Sequence, residues 1–111
     1  MSEQERPSIA EINDRFRKDP MRHGRVMLTS GINGKGQDFV QRVLKCIASY
    51  ETFSHGNDPY GEHDFGAFAL DAERIFFKID YYDLAMEFGS EDPRDPAKTL
   101  RVMTVMLASE Y

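Results

Sequence analysis

Residues 74–83 alternate between two kinds of side chain, and this alternation limits what the chain can fold into. Successive side chains of a β-strand point to opposite sides of the sheet, so every second residue shares a face. One face here is apolar, with Ile75, Phe77, Ile79 and Tyr81, and the other is mixed, with Phe76, Lys78, Asp80 and Tyr82. The segment is therefore predicted to be a strand with its apolar face in the core and its mixed face partly open.

The neighbouring segments complete a small set of elements. Residues 65–71 are predicted to pair with residues 74–83 as a hairpin, and residues 25–30 read as an earlier short strand. Ser8 and Glu11 have the spacing of a capping box, which predicts a helix from that point. A second helix is predicted over residues 37–50, after a glycine-rich turn, because its apolar residues recur at helical spacing. Asp95 followed by Pro96 predicts a closing helix, with a buried stripe of Leu100, Met103, Met106 and Leu107.

These elements predict an α+β fold in the order α-β-α-β-β-α. The sheet is expected to have three strands, mostly antiparallel, packed with about three helices. The length of 111 residues suits one domain over residues 1–111, with residues 1–7 as a flexible N-terminal tail.

The chain shows no sign of membrane insertion or export. Its start lacks an apolar run, and no stretch reaches the roughly 18–20 apolar residues that a membrane helix needs. The single cysteine, Cys46, cannot form an internal disulfide and is predicted to be a buried apolar side chain. A cytoplasmic protein is expected.

Residues 55–66 combine two histidines, three carboxylates and three glycines, which raises the question of a metal site. His63 and Asp64 could meet Asp80 across the hairpin and chelate a divalent metal, with Glu62 as a further ligand. The same residues also suit an elaborate turn, in which Asx side chains bond to nearby amides and Gly61 adopts a positive φ. The turn is favoured, and the metal site is kept as the alternative.

A second polar segment, residues 80–96, has six carboxylates and one cation, with aromatic residues among them. Aromatic residues anchor protein interfaces, and clustered acid steers a basic partner. Residues 1–50 carry a net charge of +3 and residues 51–111 a net charge of −8. This acidity argues against direct binding to nucleic acid, whose phosphates require Lys and Arg. The predicted partner-binding residues are Tyr81, Tyr82, Asp83, Glu87, Glu91 and Asp92.

Three segments of the chain resemble a bacterial family, the domain of unknown function 3768. Their sequences are NDPYGEHDFGAF, RIFFKIDYYD and GSEDPRDPAKTLRVMTVMLASEY. The resemblance extends from about Ile9 to Tyr111. It implies a setting on plasmids and other mobile elements, and it brings no catalytic residue with it.

Two functional hypotheses follow. The first is a non-enzymatic accessory protein that binds a basic protein surface, which could belong to a nucleic-acid-binding complex, without any cofactor. The mobile-element setting extends this hypothesis to an inhibitor of a host defence complex. The second is a metal-dependent enzyme or metal-binding protein that uses His63, Asp64 and Asp80. A homodimer formed through the open sheet face is a further possibility.

Overall fold

The computed structural model describes residues 6–111, which form one four-stranded sheet with helices packed on one face. The elements are α1 (Ile9–Lys18), α2 (Pro20–His23), β1 (Arg25–Leu28), α3 (Ser30–Asn33), α4 (Gln37–Ala48), β2 (Phe65–Leu70), β3 (Glu73–Tyr82) and β4 (Leu100–Leu107), followed by a 3₁₀ turn, Ala108–Glu110. The strand order is β1-β4-β3-β2. β1 runs parallel to β4, and the other two pairs are antiparallel. The α+β class is confirmed, but the sheet is mixed and has four strands rather than three.

The closing helix was the wrong prediction, because residues 100–107 form β4. This strand lies between β1 and β3, and it has buried apolar side chains on both faces, with Met103 and Val105 on one and Val102 and Met106 on the other. A strand that is apolar on both faces shows no two-residue period, and its spacing can imitate a helical stripe. Asp95 instead caps a turn, where its Oδ1 accepts the amide of Ala97 at 2.9 Å.

The predicted start of α1 and the predicted hairpin are confirmed. The amide of Glu11 donates to Ser8 Oγ at 3.1 Å, which satisfies one of the free amides at the helix start. β2 and β3 are joined by Asp71 and Ala72, whose φ values are 52° and 64°. Positive φ at both central residues gives a tight hairpin turn whose twist matches that of the strands.

The core lies between the sheet and α1, α3 and α4. Its most completely buried side chains include Phe16, Ile32, Val43, Ile47, Ile75, Phe77, Met103 and Val105. The predicted apolar face of β3 is therefore confirmed. Gly66 on β2 fits this core because a Cβ there would collide with the rings of Phe77 and Tyr50. Cys46 is only half-buried, so it is less enclosed than predicted.

The mixed face of β3 is partly exposed, as predicted: all of Phe76, Lys78, Asp80 and Tyr82 are half-buried. Of the predicted flexible tail, residues 1–5 lie outside the described part of the chain. Arg6 and Pro7 contact residues 92–94. Arg6 Nη2 lies 2.8 Å from Asp92 Oδ2, and Arg94 Nε donates to Pro7 O at 3.1 Å. Every helix in residues 6–111 is too short or too polar to cross a bilayer.

Candidate functional site

Residues 55–66 form a turn organised by a buried carboxylate. Asp58 accepts the amide of Glu62 at 2.8 Å and the amide of His63 at 3.1 Å, and its side chain is almost fully enclosed. Gly61 has a φ of 65°, as the turn prediction required. Two backbone amides of this segment are thus satisfied by its own carboxylate, which confirms the predicted Asx-capped turn.

His63 connects this turn to α1 instead of to the hairpin. Its Nδ1 lies 2.9 Å from Asp14 Oδ1, and its ring stacks on Phe53 with centroids 4.1 Å apart. Arg17 Nη2 donates to the same Asp14 oxygen at 2.7 Å. Burial raises the pKa of Asp14, but hydrogen bonds from Arg17 and His63 outweigh it, so the pKa of Asp14 is lowered overall. His63 therefore holds the turn against the first helix.

Asp64 and Asp80 have different surroundings from His63. Burial, followed by the charge of Glu62, raises the pKa of Asp64. Asp80 forms an ion pair with Lys78 on the open face, Nζ to Oδ2 at 3.1 Å, and this hydrogen bond raises the pKa of Lys78. Within residues 6–111, no group of three or more His, Cys, Asp or Glu side chains could hold a metal ion. The metal-binding alternative stays a prediction, and the described residues offer no set of ligands for it.

Tyr81 belongs to a buried polar network between α1 and the sheet. Its hydroxyl donates to Glu62 Oε1 at 2.9 Å and accepts from Asn13 Nδ2 at 2.8 Å, and burial raises its pKa. Arg101 on β4 donates from Nε to Asn13 Oδ1 at 2.7 Å, and its guanidinium lies 5.0 Å from the centre of the Tyr81 ring. Burial also lowers the pKa of Arg101. Tyr81 thus lies on the core side of the sheet, opposite Tyr82.

The sequence analysis missed Asn13 and Arg101, both of which are buried. Arg101 did carry a signal, because a cation inside the apolar run of residues 100–107 must find partners if that run is buried. Asn13 lies beside the apolar stripe of α1 and gave no comparable signal.

The acidic loop, defined here as residues 83–91, connects β3 to the segment that leads to β4. Its backbone is closed by hydrogen bonds: the Asp83 amide donates to Phe88 O at 2.8 Å, and the Ser90 amide donates to Tyr81 O at 3.0 Å. Asp83 Oδ1 also accepts the amide of Glu87 at 3.0 Å. The loop therefore has a defined conformation before any partner binds.

This ordered loop exposes large apolar side chains. Leu84 is 65% exposed and Phe88 is 72% exposed, while Asp83, Glu87 and Glu91 lie in the same loop. A shallow cavity of about 410 Å³ is lined by Asp83, Leu84, Phe88, Gly89, Glu91, Ala97 and Lys98. An apolar surface rimmed by charge is typical of an interaction site.

The six predicted partner-binding residues therefore occupy four places. Asp83, Glu87 and Glu91 lie together in the acidic loop. Tyr82 lies on the open sheet face, where it lines a groove with Met27 and Met86. Asp92 is paired with Arg6, and Tyr81 faces the core. The predicted binding residues include the acids of the loop but neither Leu84 nor Phe88, although Phe88 is one of the aromatic residues noted in residues 80–96.

Fold and site together define a small two-layer α+β domain with one helix-covered sheet face and a preformed acidic loop at its edge. Residues 28–110 match the model of the family described as "Protein of unknown function (DUF3768)", and the chain belongs to this family. The predicted family is thus confirmed, over a shorter span than residues 9–111. Comparisons with curated proteins and with solved structures found no match.

Proposed function

We propose that this protein is a non-enzymatic recognition module that binds a basic surface of a partner protein through its acidic loop. The observation that carries the proposal is the exposure of Leu84 and Phe88 in a hydrogen-bonded loop that also holds three carboxylates. Large apolar side chains that lie in water favour burial against a partner, and a loop that is already ordered loses little entropy on binding.

The two kinds of side chain would contribute differently to binding. Fully burying a Leu or Phe side chain stabilises a complex by about 1.5–3 kcal/mol each, so Leu84 and Phe88 would supply most of the affinity. Asp83, Glu87 and Glu91 would speed the encounter and select a basic partner, an effect that salt weakens. Ala97 and Lys98 border the same cavity and would form its rim.

The acidity of the loop also favours a protein partner over nucleic acid, because phosphates repel carboxylates. The proposed partner class includes the basic surface of a nucleic-acid-binding complex in the cytoplasm. An inhibitor of a host defence complex is a narrower form of this proposal, supported only by the mobile-element setting that the family resemblance implies.

Affinity capture from a native lysate tests the proposal. The immobilised wild-type chain is compared with Leu84→Ser/Phe88→Ser, with Glu87→Lys/Glu91→Lys, and with Tyr60→Ser as a control. Tyr60 is 87% exposed and lies outside the loop, so it matches Phe88 in ring exposure. We expect the wild type and the control to retain a partner that neither loop variant retains.

Salt sharpens the same experiment. Raising the salt concentration from about 0.05 M to about 0.5 M shortens the Debye length to a few ångströms and should lower the amount captured by the wild type. Equal recovery by all variants at all salt concentrations would contradict the proposal.

A further inference from the structure

The core cluster lies on one face of the sheet, and the opposite face carries apolar side chains that remain in water. Met27 on β1 is 56% exposed, and Phe76 and Tyr82 on β3 are half-buried. The strand register continues this face across β4, where the half-buried Thr104 pairs with Lys78, and Met106, which is only 4% exposed, pairs with Phe76. This surface is separate from Leu84 and Phe88 of the acidic loop, so its use goes beyond the proposed function.

The charges at the centre of the open face have a particular order. Lys78 and Asp80 stand on either side of Ile79 along β3, and their side chains are partly exposed, at 43% and 39%. Beyond Lys78 lies a cluster of rings, in which Phe76 contacts Phe65 and Tyr111 with centroids 5.4 Å and 5.5 Å away. Beyond Asp80 lies Tyr82, which also borders a groove of about 500 Å³ that runs along β1 past Arg25 and Met27. Along β3 the face therefore has a positive charge followed by a ring in one direction, and a negative charge followed by a ring in the other.

We propose that the open face binds a second copy of this chain. A two-fold axis that lies between the stacked sheets and crosses β3 at Ile79 would place Lys78 over Asp80 of the second copy, and Asp80 over its Lys78. The same rotation places Phe76 of each copy over Tyr82 of the other, because both residues lie three positions from Ile79 along β3. An interface between identical surfaces must be self-complementary, and this order of charges satisfies that condition.

The size of the face sets the expected strength. With strands about 4.8 Å apart and a rise of about 3.3 Å per residue, the sheet presents a face of roughly 450 Å² in each copy. Two copies would bury roughly 900 Å² in total, which is typical of weak, reversible interfaces. We therefore expect a monomer–dimer equilibrium that becomes visible at micromolar to high micromolar concentrations. A dimer would also carry two acidic loops, which raises the apparent affinity for a partner with repeated basic sites.

Sedimentation equilibrium of the full chain between about 1 µM and 500 µM tests this inference with two charge reversals. Lys78→Asp places two aspartates opposite each other at both contacts of the dimer, and Asp80→Lys places two lysines there. We expect each single variant to dimerise at least about tenfold more weakly than the wild type, since both contacts become repulsive. An equimolar mixture of the two variants should associate again, because every contact in the mixed dimer then joins Asp to Lys.

The mixture separates this inference from an effect within one chain. Either variant alone disrupts the internal Lys78–Asp80 pair, and mixing cannot repair an internal pair. Met27→Lys gives an independent variant that should also weaken the dimer, because the same rotation brings Met27 next to the exposed Arg25 of the second copy. Lys35→Asp/Glu73→Lys reverses an exposed pair outside this face and should not weaken it. A wild type that stays monomeric up to 500 µM would overturn the inference. So would a mixture that associates no better than its components.

Discussion

Residues 55–66 and the acidic loop, residues 83–91, each carry three carboxylates, yet their side chains have different surroundings. In the first segment, the carboxylate of Asp58 is buried and bonded to two amides, His63 is held by Asp14, and Tyr60 is a single exposed ring. In the second, the carboxylates accompany two neighbouring apolar side chains, Leu84 and Phe88, which project into water and line one cavity. Polar residues that bond to one another stabilise a fold, whereas exposed apolar residues beside charge indicate recognition. The comparison assigns structure to the first segment and binding to the second.

Among the polar side chains of the two segments and their contacts, the largest effect on stability should come from the network that holds residues 55–66 against the sheet. Asn13 joins Glu62 O, Tyr81 and Arg101, and it is fully buried. Asn13→Ala would leave the buried Arg101 guanidinium short of an acceptor and should lower the free energy of unfolding by about 3 kcal/mol. Urea unfolding measures this change. Asn33→Ala, at an exposed position, is the control, and equal midpoints for the two variants would contradict the network's role.

The two capping aspartates, Asp58 in the first segment and Asp83 in the second, should differ in how much they stabilise the fold. Asp58→Ala removes a buried carboxylate that accepts two amides, so we expect a loss of about 2 kcal/mol in unfolding free energy. Asp83→Ala removes an acceptor of one exposed amide and should cost less than about 1 kcal/mol. Thermal unfolding of both variants under one condition tests the order. A larger loss from Asp83→Ala would reverse the comparison.

Low pH should weaken the contact between residues 55–66 and α1, because it protonates Asp14. Because the pKa of Asp14 is lowered in the fold, its contribution to stability is present above its ordinary value of 3.8 and is lost as the pH falls through the folded value. Asp14→Asn should therefore be less stable than the wild type at pH 7, and the difference should shrink below about pH 4. Unfolding free energies measured from pH 7 to pH 2 test this sign. A difference that stays constant over that range would contradict it.

The smallest effect on stability is expected in the acidic loop itself. Leu84→Ser/Phe88→Ser changes side chains that lie mostly in water, so the unfolding free energy should change by no more than about 0.5 kcal/mol. Phe77→Ala, in the core, should lower it by about 3–5 kcal/mol. Chemical denaturation of the three proteins gives this contrast. A large loss in the loop variant would mean that Leu84 and Phe88 support the fold instead of a partner.

The sequence predicted those elements whose faces differ in polarity. Alternation along β3 predicted the hairpin, because one face of that strand is buried and the other is mixed. The capping pair Ser8 and Glu11 predicted the start of α1, which also has one buried side. β4 was missed because a central strand buried on both faces has no polar side to mark its period. Its parallel pairing with β1 depends on contacts across most of the chain, which local patterns do not record.

The candidate site was predicted less completely than the fold. Acidity within residues 80–96 pointed to Asp83, Glu87 and Glu91, but nothing in the sequence showed that Leu84 and Phe88 lie in water. The alternation along β3 had already placed Tyr81 on the apolar face and Tyr82 on the mixed face, which argued against Tyr81 as a partner-binding residue. Exposure is a property of the folded chain, so it was the part that sequence could not supply.

Site-specific photo-cross-linking in the producing cells tests the central assignment most directly. A photoreactive phenylalanine analogue replaces Phe88 in one protein and Tyr60 in another, so that each probe replaces an exposed ring. The account predicts a discrete protein adduct from position 88 that Glu87→Lys/Glu91→Lys abolishes, and no such adduct from position 60. An adduct from position 60 alone, or one from position 88 that persists after charge reversal, would contradict recognition through the acidic loop.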